Sequence, residues 1–69
     1  MGMMTPEDIK RLRLTLRMTA REFGELVGVS EDSVYFWEAG TRHPNYRNLV
    51  RLNEIVSDLD KRRGLEPTG

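Results

Sequence analysis

Residues 18–44 read MTAREFGELVGVSEDSVYFWEAGTRHP, and the spacing within this stretch decides the fold. Thr19 followed by Glu22 is a capping-box pattern, in which each side chain bonds the other residue's backbone N–H, so a helix begins there. Its inward residues are Phe23, Leu26 and Val27, and Gly28 ends it as a residue suited to positive φ. Gly24 lies inside this helix at a cost of about 1 kcal/mol relative to alanine, which a second backbone passing close by would explain. Val29 follows, and Ser30 caps a further helix from Glu31 to about Glu38. Val34 and Trp37, three apart, face inward, whereas Glu31, Asp32, Tyr35 and Phe36 fall on the opposite face. Gly40 stops this helix, and Thr41-Arg42-His43-Pro44 forms a loop closed by proline. A small residue at the crossing, glycine in the turn and apolar residues on one side of the second helix make a helix-turn-helix unit. Such a unit locks one face of its second helix and leaves the other free.

Working outward, Thr5-Pro6-Glu7-Asp8 is a helix start: a cap, a proline in the first turn, and acids at the positive end of the dipole. Ile9, Leu12, Arg13 and Leu16 then share a face, with an end expected near Arg17, while Leu14 points off that stripe. Beyond Pro44 a longer helix is expected from near Asn45, with Leu49, Leu52, Val56 and Leu59 in one stripe and Ile55 and Tyr46 on adjacent rows. It is expected to fade at Lys61-Arg62-Arg63-Gly64, where basic residues suit a helix C-terminus. No stretch alternates like a strand. The fold expected is all-α, a compact bundle of four to five helices over residues 5–63, with 1–4 and 64–69 as flexible termini.

Sixty-nine residues allow one small domain. There is no cysteine and a single histidine, His43, so disulfides, thiolate metal sites and a histidine-based catalytic relay have little to work with. No metal, no cofactor and no enzymatic activity are expected. No apolar run approaches the roughly 20 residues that cross a bilayer, and Met1-Gly2-Met3-Met4 is too short for a secretory signal, so a cytoplasmic location without membrane contact is expected. Eleven basic residues balance eleven acidic ones at a pI near 6.6, so DNA binding would require the charges to be segregated by face.

The segment Ile9–Val56 resembles the lambda-repressor/Cro-like family, the xenobiotic-response-element type of helix-turn-helix. The resemblance is carried by Arg13, Met18-Thr19-Ala20-Arg21-Glu22-Phe23, Gly28-Val29-Ser30, Trp37-Glu38-Ala39-Gly40 and Arg42-His43-Pro44. It implies a third helix lying in the DNA major groove and a structural salt bridge between Arg13 and Glu38. Phosphate contacts would come from Thr19 and Ala20 at the cap and from Thr41, Arg42, His43 and Asn45 in the loop, Ala20 through its backbone amide alone. Arg21 and Arg47 join them by proximity. Base contacts would fall to Glu31, Asp32, Tyr35 and Phe36, with Ser33 at the edge. This face departs from the glutamine, arginine, lysine, serine and threonine usual in the family. A carboxylate can instead accept from cytosine N4, and phenylalanine can meet a thymine methyl.

Each assignment has a plainer counterpart. Acids in a first helical turn stabilise the helix dipole. Tyr35 and Phe36 could cover core or dimer surface, although Val34 and Trp37 already define the inward side. His43 is more often a solvated loop residue than a specific contact, Lys10, Arg11, Arg17 and Arg51 are most simply solvated surface, and the run Lys61-Arg62-Arg63 reads as helix-end charge. The long last helix has more apolar positions than one small core requires, so Leu52, Ile55, Val56 and Leu59 are expected to form a homodimer interface. The function expected is sequence-specific binding of double-stranded DNA, at an inverted-repeat operator, by a dimeric transcriptional repressor of a small phage, plasmid or toxin–antitoxin-like operon. The alternative is a protein-interaction module, antitoxin-like or polymerase-binding, in which the acidic and aromatic helix meets a protein partner.

Overall fold

The computed structural model describes residues 4–65, with side chains described as far as Arg62. Four helices follow one another: α1 (Pro6–Thr15), α2 (Ala20–Val27), α3 (Glu31–Ala39) and α4 (Tyr46–Leu65), with no strand among the described residues. Their starts are written in capping chemistry. The Thr5 hydroxyl accepts from the Asp8 amide and the Asp8 carboxylate from the Thr5 amide, both at 3.1 Å. Those hydrogen bonds hold the Asp8 carboxyl below the usual aspartate value. Thr19 and Glu22 repeat the reciprocal pair at α2, at 3.1 and 2.9 Å. Ser30 caps α3 through the Ser33 amide, and Asn45 Oδ1 takes the Asn48 amide at 2.9 Å in the first turn of α4.

The helix ends are as specific. Gly28 and Gly40 stand at φ +95° and +78°, where glycine alone is unstrained. The α1 end differs from the sequence expectation: the helix stops at Thr15, and Arg17 takes φ 57°. There the Arg17 amide reaches the Leu14 carbonyl and the Met18 amide reaches the Arg13 carbonyl, a left-handed cap formed without glycine.

A continuous core joins the helices. Ile9 and Leu12 of α1, Phe23 and Val27 of α2, Val34 and Trp37 of α3, and Leu52 and Ile55 of α4 are all buried, with Ala20 among them. Gly24 shows why α2 tolerates a glycine: a Cβ there would lie 2.7 Å from the Val29 carbonyl oxygen. The turn passes directly over the helix, as the sequence suggested.

Four expectations are corrected. Met4 packs against the core instead of belonging to a flexible end, and α4 continues through Gly64 to Leu65 instead of fading. The remaining terminal positions, 1–3 and 66–69, lie outside the described residues. Tyr46 is 77 % exposed at the start of α4, away from the apolar rows beside Leu49. Arg51 is half-buried rather than solvated surface, and its guanidinium donates to the Leu26 carbonyl at 3.3 Å, tying α4 to the end of α2 where carbonyls lack helical partners.

Candidate nucleic-acid interface

The α2–turn–α3 unit holds one helix by its inner side and presents the other side to solvent. Val34 is 0 % exposed and Trp37 4 %, whereas Tyr35 is 54 % and Phe36 40 % exposed. Glu31 and Asp32 lie exposed in the first turn of α3, and among the described residues neither makes an ion pair or a side-chain hydrogen bond. Ser33 is half-buried and belongs to the cap, its amide and hydroxyl both 3.2 Å from Ser30 Oγ.

α3 is fixed to α1 by a two-pronged ion pair. Arg13 Nε and Nη2 donate to the two Glu38 carboxylate oxygens at 2.7 and 3.0 Å, and Arg13 Nη1 donates to the Met18 carbonyl at 3.1 Å. The pair is largely covered, and the Glu38 hydrogen bond holds the Arg13 guanidinium above its ordinary pKa. Glu38 is thereby spent on scaffold, in the geometry the resemblance implied.

The phosphate candidates are placed unequally. Thr19 is exposed, and its hydroxyl accepts from Glu22, so the hydroxyl proton remains for an outside acceptor. Ala20 turns its methyl into the core and offers only the amide of the first helical residue. Arg21 is exposed and 3.7 Å from Glu25, an open i,i+4 pair that an anion would readily displace. The Thr41 hydroxyl is engaged inside the chain, donating to the Phe36 carbonyl at 3.2 Å. His43, Asn45 and Arg47 are exposed; Asn45 uses Oδ1 in capping, which leaves its amino group.

One association was not anticipated. The Arg42 guanidinium lies over the Phe36 ring, 4.9 Å from its centroid. The Phe36 carbonyl also accepts from the Thr41 and Arg42 amides at 3.1 and 3.3 Å. The loop after α3 is therefore knotted to a residue of the α3 outward face. A basic residue six positions after an aromatic, across a helix-ending glycine, was the sequence signal for it.

The four residues expected at a dimer interface separate. Leu52 is 0 % exposed within its own chain and has no surface to offer a partner, whereas Ile55, at 7 %, reaches the groove that Leu59 borders. Val56 and Leu59 are only half-buried. Leu59 borders a groove of about 240 Å³ with Leu16, Met18 and Leu26, rimmed by Arg51, Asp58 and Arg62.

Among the described residues no group of three His, Cys, Asp or Glu could hold a metal, and no helix is long and apolar enough to cross a membrane. The family model described as helix-turn-helix matches residues 9–55, which take in most of α1, all of α2 and α3, and half of α4. The chain is also similar to a protein of Bacillus subtilis (strain 168) named "Uncharacterized HTH-type transcriptional regulator YqaE", at 24 % identity over 53 residues. That match covers 77 % of this chain but 46 % of the relative, so the chain spans just under half of that protein's length. No solved structure matches.

Proposed function

This chain belongs to the helix-turn-helix family, and with it to the DNA-binding regulators of transcription, and from that premise we propose that it is a dimeric repressor that recognises an inverted repeat through α3. The observation that carries the proposal is the division of α3 into a face locked by Val34 and Trp37 and a face left to solvent by Tyr35 and Phe36. A helix held in this way enters the major groove, about 12 Å wide, with its N-terminal residues toward the base edges. Glu31 and Asp32 there accept from cytosine N4, Phe36 meets a thymine methyl, and Tyr35 brings a hydroxyl. Thr19, the Ala20 amide, Arg21, Asn45 and Arg47 position the chain on phosphates, with His43 beside them.

A second copy completes the reader. Val56, together with Leu59 and the groove that Leu59 borders, forms the face on which two chains meet, setting two α3 helices about 34 Å apart, one turn of DNA. Occupying an operator excludes polymerase or an activator from the same site. The chain catalyses no reaction in this role, and control comes from its concentration or from a partner. A small phage, plasmid or toxin–antitoxin-like operon is the setting such a regulator suits.

The exposed acids favour one rival. Glu31 and Asp32 would suit a basic protein surface as well as cytosine, making α3 a protein-docking helix. Selection from randomised duplexes at two salt concentrations separates the readings. The repressor reading expects an inverted repeat to be enriched, with log affinity falling against log salt by roughly 0.9 per phosphate contact. An Asp32→Ala/Phe36→Ala variant should fold and lose the enrichment. No enrichment by the wild-type chain at low salt would overturn it and leave the protein-docking reading.

A further inference from the structure

We infer that Arg42 reads a guanine in the major groove, with Phe36 as the platform that holds it, instead of serving as one more phosphate contact. The inference rests on the DNA-binding reading and assigns a role inside it. Arg42 is tied to Phe36 twice, once through its side chain and once through its backbone. The guanidinium carbon sits 4.9 Å from the ring centroid, while the Arg42 amide donates to the Phe36 carbonyl at 3.3 Å. The Phe36 ring is 40 % exposed on the outward side of α3, so a guanidinium lying on it is drawn toward the groove and away from the DNA backbone.

A guanidinium on a ring face keeps its N–H fork at its edge, partly desolvated and limited in rotation. That fork matches guanine O6 and N7, the commonest specific major-groove contact. Nothing else on this side of α3 supplies it. The outward residues Glu31, Asp32, Tyr35 and Phe36 include no arginine, lysine, asparagine or glutamine. Arg13 is committed to Glu38, whereas Arg42 has no carboxylate partner among the described residues. A helix rich in acceptors thus borrows its purine-reading donor from the loop that follows it.

The test uses the duplex recovered by selection with the wild-type chain, measured by fluorescence anisotropy. Each guanine is replaced singly by 7-deazaguanine, which deletes the N7 acceptor and leaves every phosphate in place. One guanine per half-site should show a loss of about tenfold with the wild-type chain, and almost none with Arg42→Ala or Phe36→Ala. Arg42→Lys should lose most of the discrimination at that guanine, because an ammonium lacks the planar fork that lies on the ring, while retaining the wild-type salt slope, and Phe36→Tyr should retain the discrimination. Far-ultraviolet circular dichroism controls for folding. The inference is overturned if Arg42→Ala weakens all duplexes alike, lowers the salt slope by about one, and is rescued by lysine, which is phosphate behaviour. It is equally overturned if no guanine responds differently in the variants. A wild-type chain that enriches no duplex at low salt removes the DNA-binding reading itself, an outcome distinct from guanine-independent binding.

Discussion

On the inward side of α3, Val34 and Trp37 are 0 % and 4 % exposed; on the outward side of the same nine-residue helix, Tyr35 and Phe36 are 54 % and 40 % exposed. The inner pair is determined several times over by the α1 and α2 side chains around it and by the close passage of the turn over Gly24. Of the outer pair, Phe36 is held by Arg42 through its ring. On the proposed reading, stability resides on one face and specificity on the other. Substitutions should therefore separate the two properties.

The largest effect expected is from Trp37→Ala, which should cost about 3–5 kcal/mol in chemical denaturation followed by circular dichroism. Phe36→Ala should change stability by under about 1 kcal/mol, since it removes a half-exposed ring and a single cation–π contact. Equal losses from both substitutions would break the two-face comparison. Next in size is the Arg13–Glu38 tie. Glu38→Ala leaves a largely covered guanidinium without its anion and should cost about 2–3 kcal/mol by the same measurement. A loss below about 0.5 kcal/mol would show that α3 is held by its apolar residues alone. Gly24→Ala follows at about 1–3 kcal/mol, because the new methyl meets backbone, which cannot swing aside. The smallest change is a gain. Arg17→Gly relieves the positive φ of the α1 cap and should add about 0.5 kcal/mol, sharpening the contrast between a strained turn before α2 and the relaxed glycine turn after it.

The parts legible in the sequence are those set by local rules. Thr5, Thr19 and Ser30 announced three helix starts, Gly28 and Gly40 two ends, and Gly24 the close approach of a second backbone. Val34 and Trp37 marked the buried side because inward spacing on a short helix leaves few alternatives. The end of α1 was less legible, because Arg17 adopts a left-handed conformation that glycine would have signalled. Arg51 looked like solvated surface, since its partner is a carbonyl 25 positions away that only the folded chain brings near. The exposed part of the α4 stripe was read too broadly for a related reason. Periodicity in α4 reveals an apolar stripe without revealing what covers it, and Leu52 and Ile55 prove to be almost wholly covered by their own chain. Within the candidate interface, the outward residues of α3 followed from the same periodicity. The stacking of Arg42 on Phe36 did not, because it depends on how the glycine cap folds the loop back.

That α3 and the segments flanking it form the surface proposed to meet DNA is tested most directly by a nitrogen-15 chemical-shift titration of the chain with the selected duplex. The largest changes should fall on Glu31, Asp32, Tyr35 and Phe36, on the Thr19–Arg21 cap and on Thr41–Arg47, leaving Val34 and Trp37 little moved. Changes centred on Leu16, Met18, Leu26 and Leu59, or no change at saturating duplex, would contradict it.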